Sequence, residues 1–414
     1  MKENIKNFDN PLGFKSPLII AELGTSHNGN LIKAKKLIDA AADCGADCIK
    51  VQIVYADEIL HPNTGEVPLP GGRIRLYDQF KALETPPEFY MEIKNYTESK
   101  GLLFLCTPFG LKSASILHKM QPKLVKIASP ELNFTSLLKE VAGWNIPILL
   151  STGVSRLSDI ENAILVTSDE CLVTSDECLV TSDECGVTSD SKSSLHTTHY
   201  TLDTKKTLHT THYTLDTKIC LLHCVTSYPA PEVDYNLRVL PNLSAIFGVS
   251  VGVSDHSADP VLVPALAVSM GAVVIEKHFC LSRDDPGLDD PIALPPEDFS
   301  RMVKAVNFAL EIGPEETIAF YSRERGAEFV EQILGNGIKE LAPSEKANYR
   351  LTNRSIHALR DINKGEVLKK EDYAVLRTEK VLRPGLEPYW ESSIEGRTAR
   401  NFIPSGEGIR FDDI

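Results

Sequence analysis

Several features that would place a protein in a specialised class are missing from this 414-residue sequence. No apolar run reaches the ~18 residues of a membrane-spanning helix, and residues 1–16 are polar, without the apolar core of a signal peptide. Basic residues are too few to balance the acidic ones, since 43 Lys and Arg face 57 Asp and Glu and the net charge is −14. We therefore expect a cytoplasmic protein whose main partner is neither nucleic acid nor a membrane, because both require an accessible basic face.

A disulfide framework is not indicated either, although the sequence contains nine cysteines. Six of these cysteines lie within apolar strand or helix patterns, where buried reduced thiols are common. We predict that these six are free thiols: Cys44, Cys48, Cys106, Cys220, Cys224 and Cys280.

Strand-like and helix-like patterns alternate from residue 18 onward. Helical periodicity covers residues 31–44 and 87–99, and no Gly-x-Gly-x-x-Gly fingerprint follows the first strand, which disfavours an open dinucleotide-binding sheet. Eight strands within roughly 300 residues predict an α/β fold, a (β/α)8 TIM barrel over residues 18–312. The predicted strands are residues 18–22, 48–52, 102–106, 124–127, 148–151, 220–224, 249–253 and 273–276.

Tandem repeats interrupt the pattern between the fifth and sixth strands. The motif Val-Thr-Ser-Asp-Glu-Cys begins at Val166, Val173 and Val180, and residues 195–205 recur as 208–218. Weak helix formers disfavour a coiled coil, and verbatim copies favour a polar surface insertion over residues 166–218, wholly or partly disordered, in place of the fifth helix and its loop. Zinc binding is a minor alternative, with Cys171, Cys178, Cys185, His196, His199, His209 and His212 as possible ligands.

Two further segments follow the predicted barrel, and one precedes it. Residues 313–346 are polar and helical, which predicts a linker, and residues 1–17 form an N-terminal arm. Residues 347–414 hold short strand-like pieces separated by turn sequences such as Asn363-Lys-Gly365 and Pro404-Ser-Gly406. This turn-rich stretch predicts a compact second domain, small enough to be marginally stable alone.

Polar side chains stand at the predicted carboxyl ends of the strands, where a barrel builds its active site. Lys50 and Gln52 share parity on the second strand and so point to one side. Lys126 lies on the fourth strand, and hydroxyl-bearing residues end several others. Two lysines and several hydroxyls that converge on one rim predict a site for a phosphate dianion.

His256 and His278 each end a strand-like run, with an apolar helical stretch between the two runs. If the runs are neighbouring parallel strands, both imidazoles reach the same rim of the barrel. For either histidine alone, a hydrogen-bonded strand end is the more common outcome. Taken as a pair, they favour a divalent metal site beside the phosphate.

Occurring in this order along the chain, these motifs resemble the sialic acid synthase family. The resemblance covers nearly the whole chain apart from the N-terminal arm and the insertion. It implies a barrel that joins phosphoenolpyruvate, an N-acylated aminosugar and water to give a nonulosonic acid and phosphate, followed by an antifreeze-like (β-clip or SAF) domain. The matching motifs are Ala21-Glu-Leu-Gly24, Lys50-Val-Gln52, Cys106-Thr-Pro-Phe109, Lys126-Ile-Ala-Ser129, Ser151-Thr-Gly153, His223-Cys224, Tyr228-Pro229, Ser254-Asp-His256, Glu276-Lys-His-Phe279 and Arg383-Pro-Gly385.

The resemblance also implies individual roles. The catalytic set would be Glu22, Glu131, His256 and His278, with the two histidines holding a divalent metal, expected to be manganese, with magnesium or cobalt as alternatives. Phosphoenolpyruvate would be bound by Lys50, Thr107, Lys126, Ser129, Ser151, Thr226 and Ser254. The sugar would contact Gln52, Tyr228, Asp289 and, in a domain-swapped homodimer, Arg383 of the partner subunit. Thr226 stands where some members have asparagine, and Asn63 is the only candidate for a sugar-binding asparagine after the second strand.

The leading hypothesis is therefore a synthase that makes N-acetylneuraminate from an N-acetylated mannosamine-type sugar. A pseudaminic or legionaminic acid synthase is the alternative within the same class. Two other classes remain open. One is a barrel that the insertion has left non-catalytic, and the other is a pyruvate-dependent aldolase with Lys126 as its Schiff-base lysine.

Overall fold

A computed structural model describes residues 17–69, 72–168 and 219–414. Parallel strands form an eight-stranded sheet that curves into a nearly closed barrel, which confirms the predicted TIM fold. β1 pairs with both β2 and β8, and the ladder continues around to β4, which lies beside β3. The strands are β1 (Leu18–Gly24), β2 (Cys48–Ile53), β3 (Leu103–Pro108), β4 (Val125–Ile127), β5 (Ile148–Ser151), β6 (Ile219–Cys224), β7 (Ser250–Asp255) and β8 (Val274–His278).

The helices that alternate with the strands pack through apolar faces. In the first of them, the Asn30 side chain accepts from the backbone N–H of Lys33 (3.0 Å) and caps the helix, while Leu37 and Ile38 are buried. The barrel helices are α1 (Leu31–Asp43), α2 (Pro87–Ser99), α3 (Leu111–Lys119), α4 (Thr135–Ala142), α5 (Leu157–Thr167), α6 (Val239–Phe247), α7 (Leu262–Ser269) and α8 (Pro296–Ile312).

A small elaboration lies between β2 and α2. It consists of the short helices Ala56–Ile59 and Leu76–Leu83 and a hairpin made of Glu66–Leu69 and Gly72–Arg75. Short 3-10 helices are formed by Pro62–Thr64 within this elaboration and, elsewhere in the described chain, by Ser129–Glu131, Glu232–Asp234, Lys346–Asn348, Lys370–Asp372, Pro388–Ser393 and Phe411–Asp413.

The C-terminal part of the chain folds back onto the barrel. The segment predicted as a polar helical linker contains α9 (Pro314–Arg325) and α10 (Ala327–Leu334), and α9 packs against α7. The antiparallel pair β9 (Arg354–Ala358) and β10 (Tyr373–Arg377) follows in the second, smaller domain. β10 contacts the loop after β2 through a bridge between Arg377 and Leu60, so this domain lies against the carboxyl ends of the barrel strands.

The structure corrects one expectation about the repeats. Of the predicted insertion, only residues 166–168 are among the described residues. Val166 and Thr167 are the last two residues of α5. The insertion therefore does not replace the fifth helix, because Ile160, Ala163 and Ile164 give α5 a buried apolar face of its own. The zinc ligands considered above and residues 1–16 of the N-terminal arm also lie outside the described residues.

Two further expectations concern cysteines and membrane spans. The six cysteines predicted to be reduced are free thiols, and five of them are buried. Among the described residues, no helix combines the length and the apolar character that crossing a bilayer requires.

Candidate active site

The inward-facing side chains of the barrel change from apolar to charged toward the carboxyl ends of the strands. On β1, Glu22 follows Ile20 on the same face, because side chains alternate along a strand. Lys50, Lys126 and Glu276 take similar positions on β2, β4 and β8, and all four charged side chains are buried. Closure of the barrel therefore brings them into one cluster.

Glu276 is the centre of this cluster. Its Oε1 accepts hydrogen bonds from Lys50 Nζ (3.2 Å) and Ser254 Oγ (2.8 Å) and lies 3.3 Å from Lys126 Nζ. Lys50 forms a second ion pair with Glu22. The sequence contained Glu276 within a recognised motif, but no role was predicted for it, because its partners lie on other strands.

The two lysines differ in their electrostatics. Burial lowers the pKa of Lys50, yet Glu22 and Glu276 outweigh burial and hold that pKa above its ordinary value. For Lys126, burial and the nearby Lys50 prevail over Glu276, and the pKa of its ammonium is lowered. Burial favours a neutral Glu276, but Lys126 and Lys50 hold the pKa of this carboxyl well below its usual range. The two carboxylates therefore outweigh burial at Lys50 but not at Lys126.

Hydroxyl groups predicted to bind phosphate gather beside the lysines. Thr107 Oγ1, Ser151 Oγ and Thr226 Oγ1 are buried and have no hydrogen-bond partner among the described residues. Ser129 Oγ accepts from the backbone N–H of Gly153 (3.0 Å), and a side chain at Gly153 would collide with both the Ser129 and Thr226 hydroxyls. Buried unpaired donors are costly unless a ligand satisfies them, so this region is suited to an oxygen-rich anion.

His256 and His278 are neighbours, with ring centroids 5.5 Å apart. His256 Nδ1 lies 3.0 Å from the Val225 carbonyl oxygen, which fixes the proton on Nδ1 and leaves the Nε2 lone pair, 3.4 Å from Tyr228 Oη. Burial lowers the pKa of His256, and it lowers the pKa of His278 to about 3. Both rings are therefore neutral at pH 7, which is the form that binds metals.

Two carboxylates approach the same place. A Cβ at Gly24, whose φ is +50°, would lie 3.0 Å from Asp289 Oδ2, 3.4 Å from Glu22 Oε1 and 3.8 Å from His278 Nδ1. Within the part of the chain that the structure describes, no three His, Cys, Asp or Glu side chains form a metal site by themselves. Two imidazoles with carboxylates nearby nevertheless suit a divalent ion that takes its other ligands from water or substrate.

A second pair of charges fixes the two histidines. Asp255 and Lys277 directly precede His256 and His278 and point to the opposite face of the sheet. Lys277 Nζ lies 2.6 Å from Asp255 Oδ2 and donates to the Ser257 carbonyl oxygen (2.6 Å). This buried ion pair ties the ends of β7 and β8 together, and sequence reasoning did not identify it because it needs both strands in register.

Glu131 is held from outside the barrel. Its Oε1 accepts from Arg354 Nε (2.9 Å) on β9 and Arg377 Nη2 (2.7 Å) on β10, and the residue is fully buried. The Arg377 guanidinium also lies 5.3 Å from the centroid of the Phe109 ring. Both arginines were missed in the sequence, where nothing distinguishes them from other arginines of the second domain.

Only some of the residues predicted to contact the sugar lie at the site in the described chain. Gln52 Nε2 donates to Glu22 Oε1 (3.2 Å), and the Tyr228 ring stacks on His256 with centroids 4.3 Å apart, so both are at the site. Arg383 is not brought to it in the described chain, since its guanidinium bonds Asp413 within the second domain. The prediction for Arg383 concerned a partner subunit and stays a prediction. Asn63 Nδ2 donates to the Ser405 carbonyl oxygen of the second domain (3.0 Å).

Comparison with known proteins gives consistent results. The crystal structure of the spore coat polysaccharide biosynthesis protein SpsE from Bacillus subtilis has a TM-score of 0.70 and 30% sequence identity, over 96% of this chain and 95% of that one. The N,N'-diacetyllegionaminic acid synthase of Campylobacter jejuni is 29% identical over 88% of this chain and 91% of its own length. A pseudaminic acid synthase of the same species is 28% identical over 97% of this chain and 97% of its own length.

Family models divide the chain in the same way as its fold. The model of the NeuB family matches residues 37–313, which include most of the barrel, and the model of the SAF domain matches residues 353–414. The chain belongs to the NeuB family and carries a C-terminal SAF domain.

Proposed function

We propose that this protein condenses phosphoenolpyruvate with an N-acylated aminosugar and water to form a nonulosonic acid and phosphate. The observation that carries the proposal is the cluster of Lys50, Lys126, Glu22 and Glu276 at the strand ends of a NeuB-family barrel, beside buried hydroxyls that have no hydrogen-bond partner in the described part of the chain. The named activities of the two Campylobacter relatives support the same reaction class.

Phosphoenolpyruvate would be bound by hydroxyl donors together with the two lysines. Two lysines and two glutamates cancel one another inside the barrel, so a polyanion needs additional donors. Those donors would be the hydroxyls of Thr107, Ser129, Ser151 and Thr226, and that of Ser254 once it turns from Glu276 Oε1 to the ligand. A bound phosphate would raise the lowered pKa of Lys126, because a nearby anion favours the charged form of an amine.

The histidine pair would hold the divalent ion, for which manganese is the expected metal. Bound there, the ion would supply a Lewis acid that polarises the sugar aldehyde. Glu22, fixed by Lys50 and Gln52, would hold a proton of the attacking water at its carboxylate. Glu131, fixed at Oε1 by two arginines, has a buried Oε2 without a partner among the described residues, and this oxygen would orient the sugar.

The sugar is the finer part of the proposal. N-acetylmannosamine, giving N-acetylneuraminate, is one candidate. The relatives that make N,N'-diacetyllegionaminic and pseudaminic acids support diacetamido sugars as the second. Asp289 and Tyr228, which lie beside the histidines, would contact whichever sugar binds.

The test measures phosphate release from phosphoenolpyruvate with manganese and a panel of N-acetylmannosamine and diacetamido sugars. We expect release with at least one sugar, and none after chelation of the metal. No release with any N-acylated aminosugar would overturn the proposal. Stabilisation by phosphoenolpyruvate without turnover would indicate a non-catalytic barrel, and borohydride trapping of pyruvate on Lys126 would indicate an aldolase.

We also propose that the active form is a domain-swapped homodimer in which Arg383 of the partner subunit reaches the sugar. Within the described chain Arg383 bonds Asp413, so in the dimer the SAF domain would have to meet the barrel in a different arrangement for Arg383 of the partner subunit to reach the sugar. Light scattering coupled to size exclusion measures the mass. A monomer with full activity would rule this arrangement out.

A further inference from the structure

Glu345, in the segment that joins α10 to the SAF domain, is a buried carboxylate with backbone partners. Its Oε2 accepts from the backbone N–H groups of Val154 (3.1 Å) and Thr226 (2.9 Å), and its Oε1 accepts from that of Ala342 (3.3 Å). Val154 and Thr226 lie in the loops that follow β5 and β6. One side chain from outside the barrel therefore joins two loops at the phosphate-binding side of the site.

The first of these loops is held in a strained conformation. Val154 has a φ of +43°, in the left-handed region that a β-branched residue rarely adopts. Its N–H bonds to Glu345, and its carbonyl oxygen accepts from Asn353 Nδ2 (3.4 Å). The turn brings the backbone N–H of Gly153 to Ser129 Oγ. Strain of this kind persists only where surrounding groups impose it, and Glu345 is one of those groups.

The second loop is held by hydrogen bonds to both the backbone N–H and the carbonyl oxygen of Thr226. The N–H of Thr226 bonds to Glu345, and its carbonyl oxygen accepts from Asn348 Nδ2 (2.9 Å). With its backbone satisfied in this way, Thr226 keeps a buried Oγ1 that has no partner among the described residues. The hydroxyl is thus aimed by contacts from the segment between the barrel and the SAF domain.

We propose that Glu345 is a positioning residue that shapes the loops after β5 and β6 to receive the phosphate of phosphoenolpyruvate. The identity of the ligand rests on the proposed function. The geometry of the two loops does not depend on the proposed function, because it follows from the hydrogen bonds of Glu345 to Val154 and Thr226. The segment before the SAF domain then serves phosphate binding at the β5–β6 side, in addition to any contact of that domain with the sugar at Glu131.

The test compares Glu345→Gln with Glu340→Gln, a matched change at an exposed carboxylate of the same segment. A neutral amide cannot accept from all three N–H groups, so we expect the KM for phosphoenolpyruvate to rise about tenfold, with the KM for the sugar within twofold of its original value. Glu340→Gln should change neither constant. Equal rises in both KM values, or an unchanged KM for phosphoenolpyruvate, would overturn the proposal.

Two further variants sharpen the result. Glycine adopts positive φ without strain, so in a Val154→Gly background the added effect of Glu345→Gln should shrink from about tenfold to about threefold. If Glu345→Gln does not fold, Asn348→Ala removes only the clamp on the Thr226 carbonyl, and it should raise the same KM about threefold. An undiminished effect of Glu345→Gln in the glycine background would contradict a role in holding the strained turn, and no effect of Asn348→Ala would contradict the clamp.

Two measurements keep this proposal separate from the proposed function. Amide hydrogen exchange of peptides spanning residues 150–156 and 223–230 should accelerate in Glu345→Gln, whether or not the enzyme turns over. Calorimetry with inorganic phosphate as the probe should show weaker binding in the same variant. If wild-type protein turns over no sugar but both measurements behave as stated, the proposed function fails and this inference stands. Unchanged exchange in both loops overturns it.

Discussion

Glu276 and Glu131 are both buried carboxylates at the ends of barrel strands, each paired with two cations, yet the cations come from different parts of the chain. Glu276 forms ion pairs with Lys50 on β2 and Lys126 on β4, two other strands of the same barrel. Glu131 meets Arg354 and Arg377, which lie on β9 and β10 of the SAF domain. One half of the site is therefore complete when the barrel closes, and the other half only when the second domain docks.

This difference separates two kinds of function. The barrel half consists of compact ammonium groups and hydroxyls, which match a phosphate as point charges and donors. The docked half consists of planar guanidinium groups, which hold Oε1 of Glu131, while Oε2 has no partner within the described ranges. We expect changes in the first half to affect phosphoenolpyruvate and changes in the second half to affect the sugar.

The largest effect should come from Glu276→Gln. Removing this charge leaves Lys50 and Lys126 facing each other without their shared anion, at a cost of about 3 kcal/mol in the free energy of unfolding. We expect kcat/KM for phosphoenolpyruvate to fall about a thousandfold. Urea unfolding and steady-state kinetics measure the two losses, and Glu297→Gln on the exposed face of α8 is the control. A loss below tenfold would show that the barrel half does not organise the phosphate.

A smaller effect is expected from Glu131→Gln in the docked half. The amide would remove the ion-pair partner of Arg354 and leave Arg377 with Glu379 (3.8 Å), so the SAF domain would dock less firmly. We expect kcat/KM for the sugar to fall about a hundredfold while the KM for phosphoenolpyruvate changes less than threefold. Kinetics with each substrate varied in turn tests this. An equal effect on both substrates would remove the distinction between the two halves.

Arg377→Lys should produce a milder version of the same change. A lysine keeps the charge but loses the planar fork and the contact with the Phe109 ring. We expect the KM for the sugar to rise about tenfold, with unfolding in urea almost unchanged. Arg397→Lys, at an exposed position of the same domain, is the control. If both variants behave alike, the fork geometry at Arg377 carries no specificity.

The smallest effect concerns pH and the SAF domain. Burial lowers the pKa of His357 to about 4, and its ring bonds the Gly406 carbonyl oxygen and Ser355 Oγ. A histidine with a depressed pKa is protonated more readily in the unfolded chain. The contribution of neutral His357 to the free energy of unfolding of the SAF domain is therefore retained above about pH 6.5. It is lost as the pH drops toward 4, by about 1 kcal/mol at pH 5.5.

Fluorescence can measure this loss in one domain. The chain has two tryptophans, Trp144 in the barrel and Trp390 in the SAF domain, so a Trp144→Phe protein reports the SAF domain alone. His357→Gln should flatten the dependence between pH 6.5 and 4. If the pH dependence of stability is equally large in this variant, it belongs to other groups. His61, Glu407 and Arg354 are those that interact electrostatically with His357.

Much of the fold and part of the site could be predicted before the structure was known. All eight barrel strands were located within two residues, because apolar runs bounded by polar turns are a local signal. The pairing of Lys50 and Gln52 on one face followed from strand parity, and both contact Glu22. The adjacency of His256 and His278 followed from the chain order of two parallel strands.

The missed residues are those whose partners are distant in sequence. Glu276 lies 226 positions from Lys50, and Arg354 lies 223 positions from Glu131. Glu345 bonds backbone groups, which leave no trace in the choice of side chains at Val154 and Thr226. No periodicity reports such contacts, because they depend on barrel closure and on where the second domain docks.

The sequence by itself determined the barrel, the row of polar side chains at its strand ends and the order in which the strands deliver them. These properties depend on hydrophobic periodicity and on strand parity, which act over a few residues. Only the tertiary structure decided which charges pair, that Glu276 joins two lysines and that arginines of the SAF domain hold Glu131. Ion pairs and backbone clamps form across the sheet register and the domain contact, and these are fixed by packing of the whole chain rather than by any local stretch of it.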